Sequence, residues 1–483
     1  MPASASLPDS VTLSLAIAIA IYLLVIFALS IWAQGRIHTA EDFIVAGRRL
    51  PLSLAWATLL ATWFGAGTMI IQANEVKNEG LKQAALDPFG AGCCLLLAGL
   101  FYARPMWQMG ITTVSDFFHR QFGSTAEVLS VFILVPSYFG WIAAQFVALA
   151  AILEAFFGIP QNVGMLYVAL VGMSYTLMGG MWSVTLTDAV QIVLVILGLI
   201  ILTISSLMGL GGGSILGGLK ILSDKTELLQ PVPVETLPLL GAWLGAFTAG
   251  ALGNLPGQDL MQRVFAAKSA QTARNACLLA GVLYLLLGTM PLLLGLVGRM
   301  LFADSDSNVT IELAKRFLAP TPLLLVVFML GLISVVLSTI DSAILSPATV
   351  LSQNLFEKWN RGRISPLWLN RISVLLVSMA SLALAYSGEG AYELLEGAYE
   401  LTLVGLFVPL TCGLFLPLRG QAPAIAAMIA GPAVWIVHSL LDVPDAFALA
   451  GLSTGIGATG ISFFTYVTVW GNCSPVDNNE FTS

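Results

Sequence analysis

The chain has 483 residues, of which 57% are hydrophobic and 10% charged, with a formal net charge of −7. Water-soluble proteins carry about 25% charged residues, so this composition excludes a disordered chain, a nucleic-acid binder and an ordinary cytosolic enzyme. A polytopic membrane protein remains, with polar residues few enough to weigh one by one.

A transmembrane helix needs ~20 mostly apolar residues. On that rule thirteen segments qualify in chain order: 11–33, 51–76, 84–106, 125–157, 160–178, 185–208, 238–262, 275–302, 321–352, 366–386, 392–418, 421–441 and 445–471. The first does not read as a secretory signal, because nothing basic precedes it and Arg36 follows on the wrong flank. Lys and Arg set orientation. With the N-terminus outside, thirteen fall inside, among them Arg36, Arg48, Arg49, Arg263, Arg361 and Arg419, against seven outside. The tally therefore predicts an external N-terminus and a cytoplasmic C-terminus in a cell membrane, plasma or inner. Asn308-Val309-Thr310 then lies outside as a glycosylation sequon.

Two segments are interrupted. The second reads A-T-W-F-G-A-G-T at 61–68, and the seventh reads G-N-L-P-G-Q at 253–258. Glycine and proline inside a membrane helix free backbone groups that lipid cannot satisfy, so such breaks belong where backbone lines a cavity. Both fall in the first helix of a five-helix block, 51–208 and 238–418. Paired breaks of this kind point to a transporter built from repeats. An odd number of helices per block inverts the second block relative to the first. Residues 1–50 then form an extra helix and cytoplasmic loop, 209–237 an extracellular loop, and 419–483 two further helices and a tail. Ordinary kinks in a membrane enzyme or receptor are the competing account.

The ninth segment carries S-V-V-L-S-T-I-D-S at 334–342. Ser334, Ser338, Asp341 and Ser342 share one helical face, with Thr339 beside Ser338. A polar stripe on a membrane helix faces protein or water, and its oxygens suit a small alkali cation as oxygen ligands suit calcium and magnesium. Helix packing through back-bonded hydroxyls is the plainer role. Asp188 opens the sixth segment, either as an acid favoured by a helix start or reaching Asp341 and Ser342 to complete an ion site, where sodium or a shared proton would separate two carboxylates.

Aromatic residues gather near the breaks: Trp63 at the first, and Tyr138, Phe139 and Trp141 in the fourth segment. Core packing is the frequent role, and a wall for a cationic head group the alternative. Gln258, Asp259 and Gln262 follow the second break and offer polar contacts, although Asp259 could equally sit at the inner surface beside Arg263. Glu393, Glu396 and Glu400 share a face that could line a hydrated helix end. Three scattered histidines, five cysteines without a C-x-x-C pair, and no H-E-x-x-H, G-x-S-x-G or Walker A string leave no enzyme chemistry or transition-metal site.

E-D-F-I-V-A-G-R-R-L-P at 41–51, A-T-W-F-G-A-G-T at 61–68, G-G-M-W-S-V-T-L-T-D-A-V-Q at 179–191, G-Q-D-L-M-Q-R-V-F-A-A-K-S at 257–269 and S-T-I-D-S at 338–342 together resemble the sodium:solute symporter family. The resemblance runs from about 41 to 418 with the motifs in family order. It implies an all-α polytopic membrane protein with about 13 transmembrane helices. Its leucine-transporter-like core would hold two inverted five-helix repeats, with one extra N-terminal and two extra C-terminal helices. It implies a sodium site made by the carbonyls of Ala61, Phe64 and Val335 and the hydroxyls of Ser338 and Thr339. A second site, present in some members, maps to Asp188, Ser338, Asp341 and Ser342. Asp341 stands where many members have Ser.

The solute is expected against Trp63, Gly67, Tyr138, Trp141, Gly257 and Gln258. Within the family the motifs are most similar to the high-affinity choline transporter branch, which places a tryptophan where this chain has Gly257. The implied function is sodium-coupled import of a small organic solute, an amine or choline-like compound, by alternating access. Amino-acid, carboxylate or vitamin import, or a non-coupled sensor or channel on the same fold, are the alternatives. The partners expected are the solute, co-transported Na+ and the lipid bilayer, with no nucleic acid and a monomer compatible.

Overall fold

The computed structural model describes residues 9–472 apart from 306, 361, 389, 417–419 and 442–452. Arg361, Arg419 and Cys473 therefore lie outside the described residues. All regular structure among those described is helical, apart from one isolated parallel bridge between Leu50 and Ala267.

Helix α1 (Asp9–Gln34) leads to the short α2 (Ala40–Val45), whose start is fixed by a Thr39–Asp42 capping box. Next come α3 (Leu52–Trp63) and α4 (Gln72–Glu79), then α5 (Ala91–Leu97) and α6 (Ala103–Gln108), which belong to one bulged apolar stretch, Leu81–Gln108. A connecting helix α7 (Val114–Phe122) precedes the long α8 (Ser124–Phe157) and α9 (Gln161–Leu210). After α10 (Ile215–Ser223) follow α11 (Leu237–Thr248), α12 (Gln258–Ala266), α13 (Ala270–Leu301) and α14 (Val309–Phe317). The chain ends through α15 (Pro322–Val350), α16 (Glu357–Asn360), α17 (Pro366–Ala385), α18 (Ala391–Thr402), α19 (Val408–Phe415), α20 (Gln421–Leu441) and α21 (Thr454–Asn472).

Both expected breaks are present. The run A-T-W ends α3 at Phe64, whose ψ of 74° leaves the helix, and the chain resumes through Gly67–Ile71 into α4 with a 52° bend. Gly65 is required there, because a Cβ would stand 2.7 Å from Thr339 Oγ1 on α15. The second break passes from α11 through a wide turn, Ala249–Gly253, and the irregular 254–257 into α12. At Gly253 a Cβ would lie 2.4 Å from the carbonyl oxygen of Tyr399, so the second break presses directly on α18.

Nine helices among the described residues are long and apolar enough to cross a membrane, ten when the bent α3–α4 pair counts as one. Four expected segments behave differently. Segments 160–178 and 185–208 merge in α9, whose 50 residues would span ~75 Å at ~1.5 Å each if straight. Gly180, with φ 51° and ψ −163°, breaks it in two. Segment 238–262 is divided by its own break, and 445–471 is described only from Ser453 onward.

Two loop assignments change. Arg263 does not sit on an inner loop: it is 1% exposed on α12. The Asn308 amide oxygen caps α14 by accepting from Thr310 and Ile311 N–H, and Thr310 is buried, so this sequon is built into the fold.

Candidate functional site

Helix α15 runs past the first break and presents its polar stripe there. Ser338 Oγ donates to the Ala61 carbonyl at 3.0 Å, and Thr339 Oγ1 lies 3.0 Å from both the Thr62 and Val335 carbonyls. The Ala61 and Val335 carbonyls thus lie beside the Ser338 and Thr339 hydroxyls, with the Thr62 carbonyl as an unforeseen neighbour. Phe64 ends α3 at that spot, and its ring packs edge-on to Tyr284 at 5.5 Å. Ser334, the first member of the stripe, does not join: its hydroxyl pairs with Tyr22 of α1 at 2.9 Å.

Asp188, Ser338, Asp341 and Ser342 also come together, each at most 1% exposed. Asp188 accepts from Ser338 and from Thr58, both at 2.5 Å, and Ser342 donates to Asp341 at 3.1 Å. Arg263 is the surprise in this cluster. Its guanidinium donates to Ser342 at 2.6 Å, to Thr58 Oγ1 at 3.2 Å and to the Asp259 carbonyl at 2.9 Å, and stands 3.8 Å from Asp188. Asp188 faces the guanidinium directly, and Asp341 is linked to it through Ser342, in a dry interior where unbalanced charge is costly.

One turn earlier on the same face of α12, Asp259 lines a pocket between the two breaks. Asp259, 4% exposed, accepts from Trp63 Nε1 at 2.7 Å and from Tyr138 OH at 2.5 Å. The Trp141 ring lies 5.7 Å from that of Tyr138. Two adjoining cavities share Trp141, Asn254, Asp259 and Tyr399; one adds Tyr138 and Gly257, the other Trp63 and Tyr284. Together five aromatic side chains and one carboxylate enclose the space. The larger cavity is only ≈ 20 Å³, where a single water takes up roughly 10–15 Å³. As the side chains stand, this space is too small for an organic solute.

Trp63, Tyr138, Trp141 and Gly257 are therefore pocket residues, as expected from the sequence. Gln258 is not. Its side chain accepts from Val114 N–H at 2.7 Å and donates to the Thr112 carbonyl at 3.2 Å, tying α12 to the start of α7. Gly67 faces outward of the pocket, where a Cβ would meet Leu395 at 3.1 Å and Asp87 at 3.7 Å. Asp87, Tyr284, Tyr399, Asn254 and Arg263 escaped the sequence reading. For Asp87 a signal existed, since an ionisable residue within a membrane run is a functional candidate by default; Arg263 stands one residue past its run, among the inner-side charges. The tyrosines and Asn254 carry no such mark.

The sequence model of the sodium:solute symporter family matches residues 43–431. Human high-affinity choline transporter 1 is 29% identical over 446 residues, covering 86% of this chain and 75% of the relative. The Torpedo marmorata high-affinity choline transporter 1 is 27% identical, covering 95% and 87%. Among solved structures, a substrate-bound, outward-open Na+-coupled sialic acid symporter superposes with a TM-score of 0.76 at 17% identity, covering 95% of this chain and 98% of that one. This likeness, with that to MhsT in complex with L-phenylalanine (TM-score 0.55, 13% identity, 87% and 97% covered), establishes the leucine-transporter-like fold.

Proposed function

The chain belongs to the sodium:solute symporter family, and from that premise we propose that it imports a small organic cation, choline-like in chemistry, by sodium-coupled symport. The observation that carries the substrate class is the enclosure of buried Asp259 by Trp63, Tyr138, Trp141, Tyr284 and Tyr399. Aromatic faces attract a desolvated ammonium by ~2 kcal/mol or more, and a carboxylate within the same pocket balances its charge. Gly257 leaves one wall open relative to a tryptophan, and Tyr284 and Tyr399 supply aromatic surface around the same space. The choline transporters among the relatives agree with this chemistry.

Sodium would sit among the carbonyls of Ala61, Phe64 and Val335 and the hydroxyls of Ser338 and Thr339. A second sodium would offset the net negative charge of Asp188 and Asp341 against Arg263. Because sodium and solute share helix α3, filling one steadies the backbone that the other needs. A tenfold sodium gradient with 100 mV provides about 3.7 kcal/mol per ion, so two ions concentrate a neutral solute ~10⁵-fold and a cation further. The repeats 51–208 and 238–418 would rock against each other, with the N-terminus outside and the C-terminus in the cytoplasm of a cell membrane. The test is uptake of radiolabelled choline into proteoliposomes. Uptake that survives replacement of sodium by potassium refutes coupling, and sodium-driven uptake of other solutes but not of any amine refutes the substrate class.

A further inference from the structure

Asp87 lies within the apolar stretch Leu81–Gln108, 3% exposed, and forms no ion pair among the described residues. It belongs neither to the sodium sites nor to the Arg263 cluster. Its Oδ2 is 2.7 Å from Thr68 Oγ1, which is 2.5 Å from the Tyr284 hydroxyl. That hydroxyl returns to the Asp87 carboxyl, 2.9 Å from Oδ1 and 3.0 Å from Oδ2, and closes a ring of three groups.

Each contact needs one proton between its oxygens. The two hydroxyls bring two. If Asp87 is ionised, both point at the carboxylate, and Thr68 and Tyr284 face each other at 2.5 Å with no proton between them. So short an O···O distance belongs to the strongest hydrogen bonds and is repulsive without a proton. A proton on Asp87 supplies what is missing. Oδ2–H then donates to Thr68, Thr68 to Tyr284, and Tyr284 to Oδ1, all in one rotational sense, so each bond polarises the next.

We propose that Asp87 is a proton-binding site of the transport core, held as the neutral acid while the pocket is closed. The proton passes to water when the outer half of the broken helix, which carries Thr68, moves away from Tyr284. The titratable groups around Asp87 are Tyr284 on α13 and Tyr392 and Tyr399 on α18, with Cys94 beyond Tyr399. Beyond Tyr392 stand Glu75, Glu393 and Glu396, and beyond Tyr399 stands Asp259. None is a cation, so none balances an ionised Asp87. The Tyr284 hydroxyl also lies 3.2 Å from the Trp63 carbonyl, so the ring touches the backbone of the first break.

Infrared difference spectroscopy of purified protein across a pH titration tests the site itself. The wild type is expected to show the carbonyl band of a protonated carboxylic acid, lost in Asp87→Asn; identical spectra overturn the proposal. The transport consequence rests on the symport reading and is tested with choline in proteoliposomes. An amide can occupy the same ring, donating to Thr68 and accepting from Tyr284. Asp87→Asn is therefore expected to retain uptake within about threefold of the wild type at acid pH and to lose the decline at alkaline pH. Glu396→Gln keeps that decline. Asp87→Asn uptake that keeps the wild-type decline at alkaline pH overturns the proposal. The infrared result requires no transport, so failure of the symport reading is distinguishable from failure of the proton site.

Discussion

Substituting Arg263 by methionine keeps much of the side-chain volume and removes every donor. The guanidinium is 1% exposed and donates to Thr58, Ser342 and the Asp259 carbonyl at 2.6–3.3 Å. It also stands 3.8 Å from Asp188. Removing one member of a buried ion pair destabilises by roughly 3–5 kcal/mol, and each stranded acceptor adds ~1 kcal/mol or more. With Asp188 and Asp341 left behind, the cluster becomes one unit more negative. A cation that binds only the folded state then stabilises by mass action, and it does so more strongly in the variant. The assay is thermal melting of purified protein in sodium and in potassium. Arg263→Met is expected to melt several degrees below the wild type in potassium and to recover part of that loss in sodium, widening the gap between the two salts. A variant that melts with the wild type in potassium, or whose sodium effect shrinks, would show that the guanidinium does not balance these carboxylates.

Three further outcomes follow from the same geometry. Asp259→Asn should weaken equilibrium binding of radiolabelled choline roughly 100-fold or more, since a charge at about 5 Å in an effective dielectric near 20 contributes ~3 kcal/mol; the sodium affinity should stay, and a concerted loss of both would contradict separate sites. Thr339→Ala, which leaves the Thr62 and Val335 carbonyls without their hydroxyl, should raise the sodium concentration for half-maximal uptake about tenfold, as loss of one hydrogen-bonding group of ~1.4 kcal/mol requires. Gly253→Ala drives a methyl to 2.4 Å from the Tyr399 carbonyl and should lower stability by roughly 1–3 kcal/mol, read as earlier melting; an unchanged melting temperature would mean that α18 yields freely.

Much of the fold was legible because its signals are local. A run of ~20 apolar residues marks a candidate crossing by itself, and the closely spaced Gly65/Gly67 and Gly253/Pro256/Gly257 mark their breaks in the same local way. The stripe at Ser338, Asp341 and Ser342 was readable because spacing along one helix fixes which side chains share a face. The pocket aromatics Trp63, Tyr138 and Trp141 stood out by lying deep in their segments. Gln258 misled for the complementary reason. A polar residue just past a break looks the same whether it turns to the pocket or, as here, to α7.

By itself, the sequence determined the membrane class, the breaks, the stripe of oxygen ligands and the resemblance to a symporter family. Only the tertiary structure decided which of those polar groups meet. Ser338 and Asp188 are 150 residues apart in the chain, and Trp63 and Asp259 are 196 apart. Packing at that separation depends on how helices cross, which no local spacing encodes. That is why Arg263, counted among the inner-surface charges by its place in the chain, belongs in the dry interior beside the ion cluster, and why Asp87 draws its chemistry from partners on two other helices.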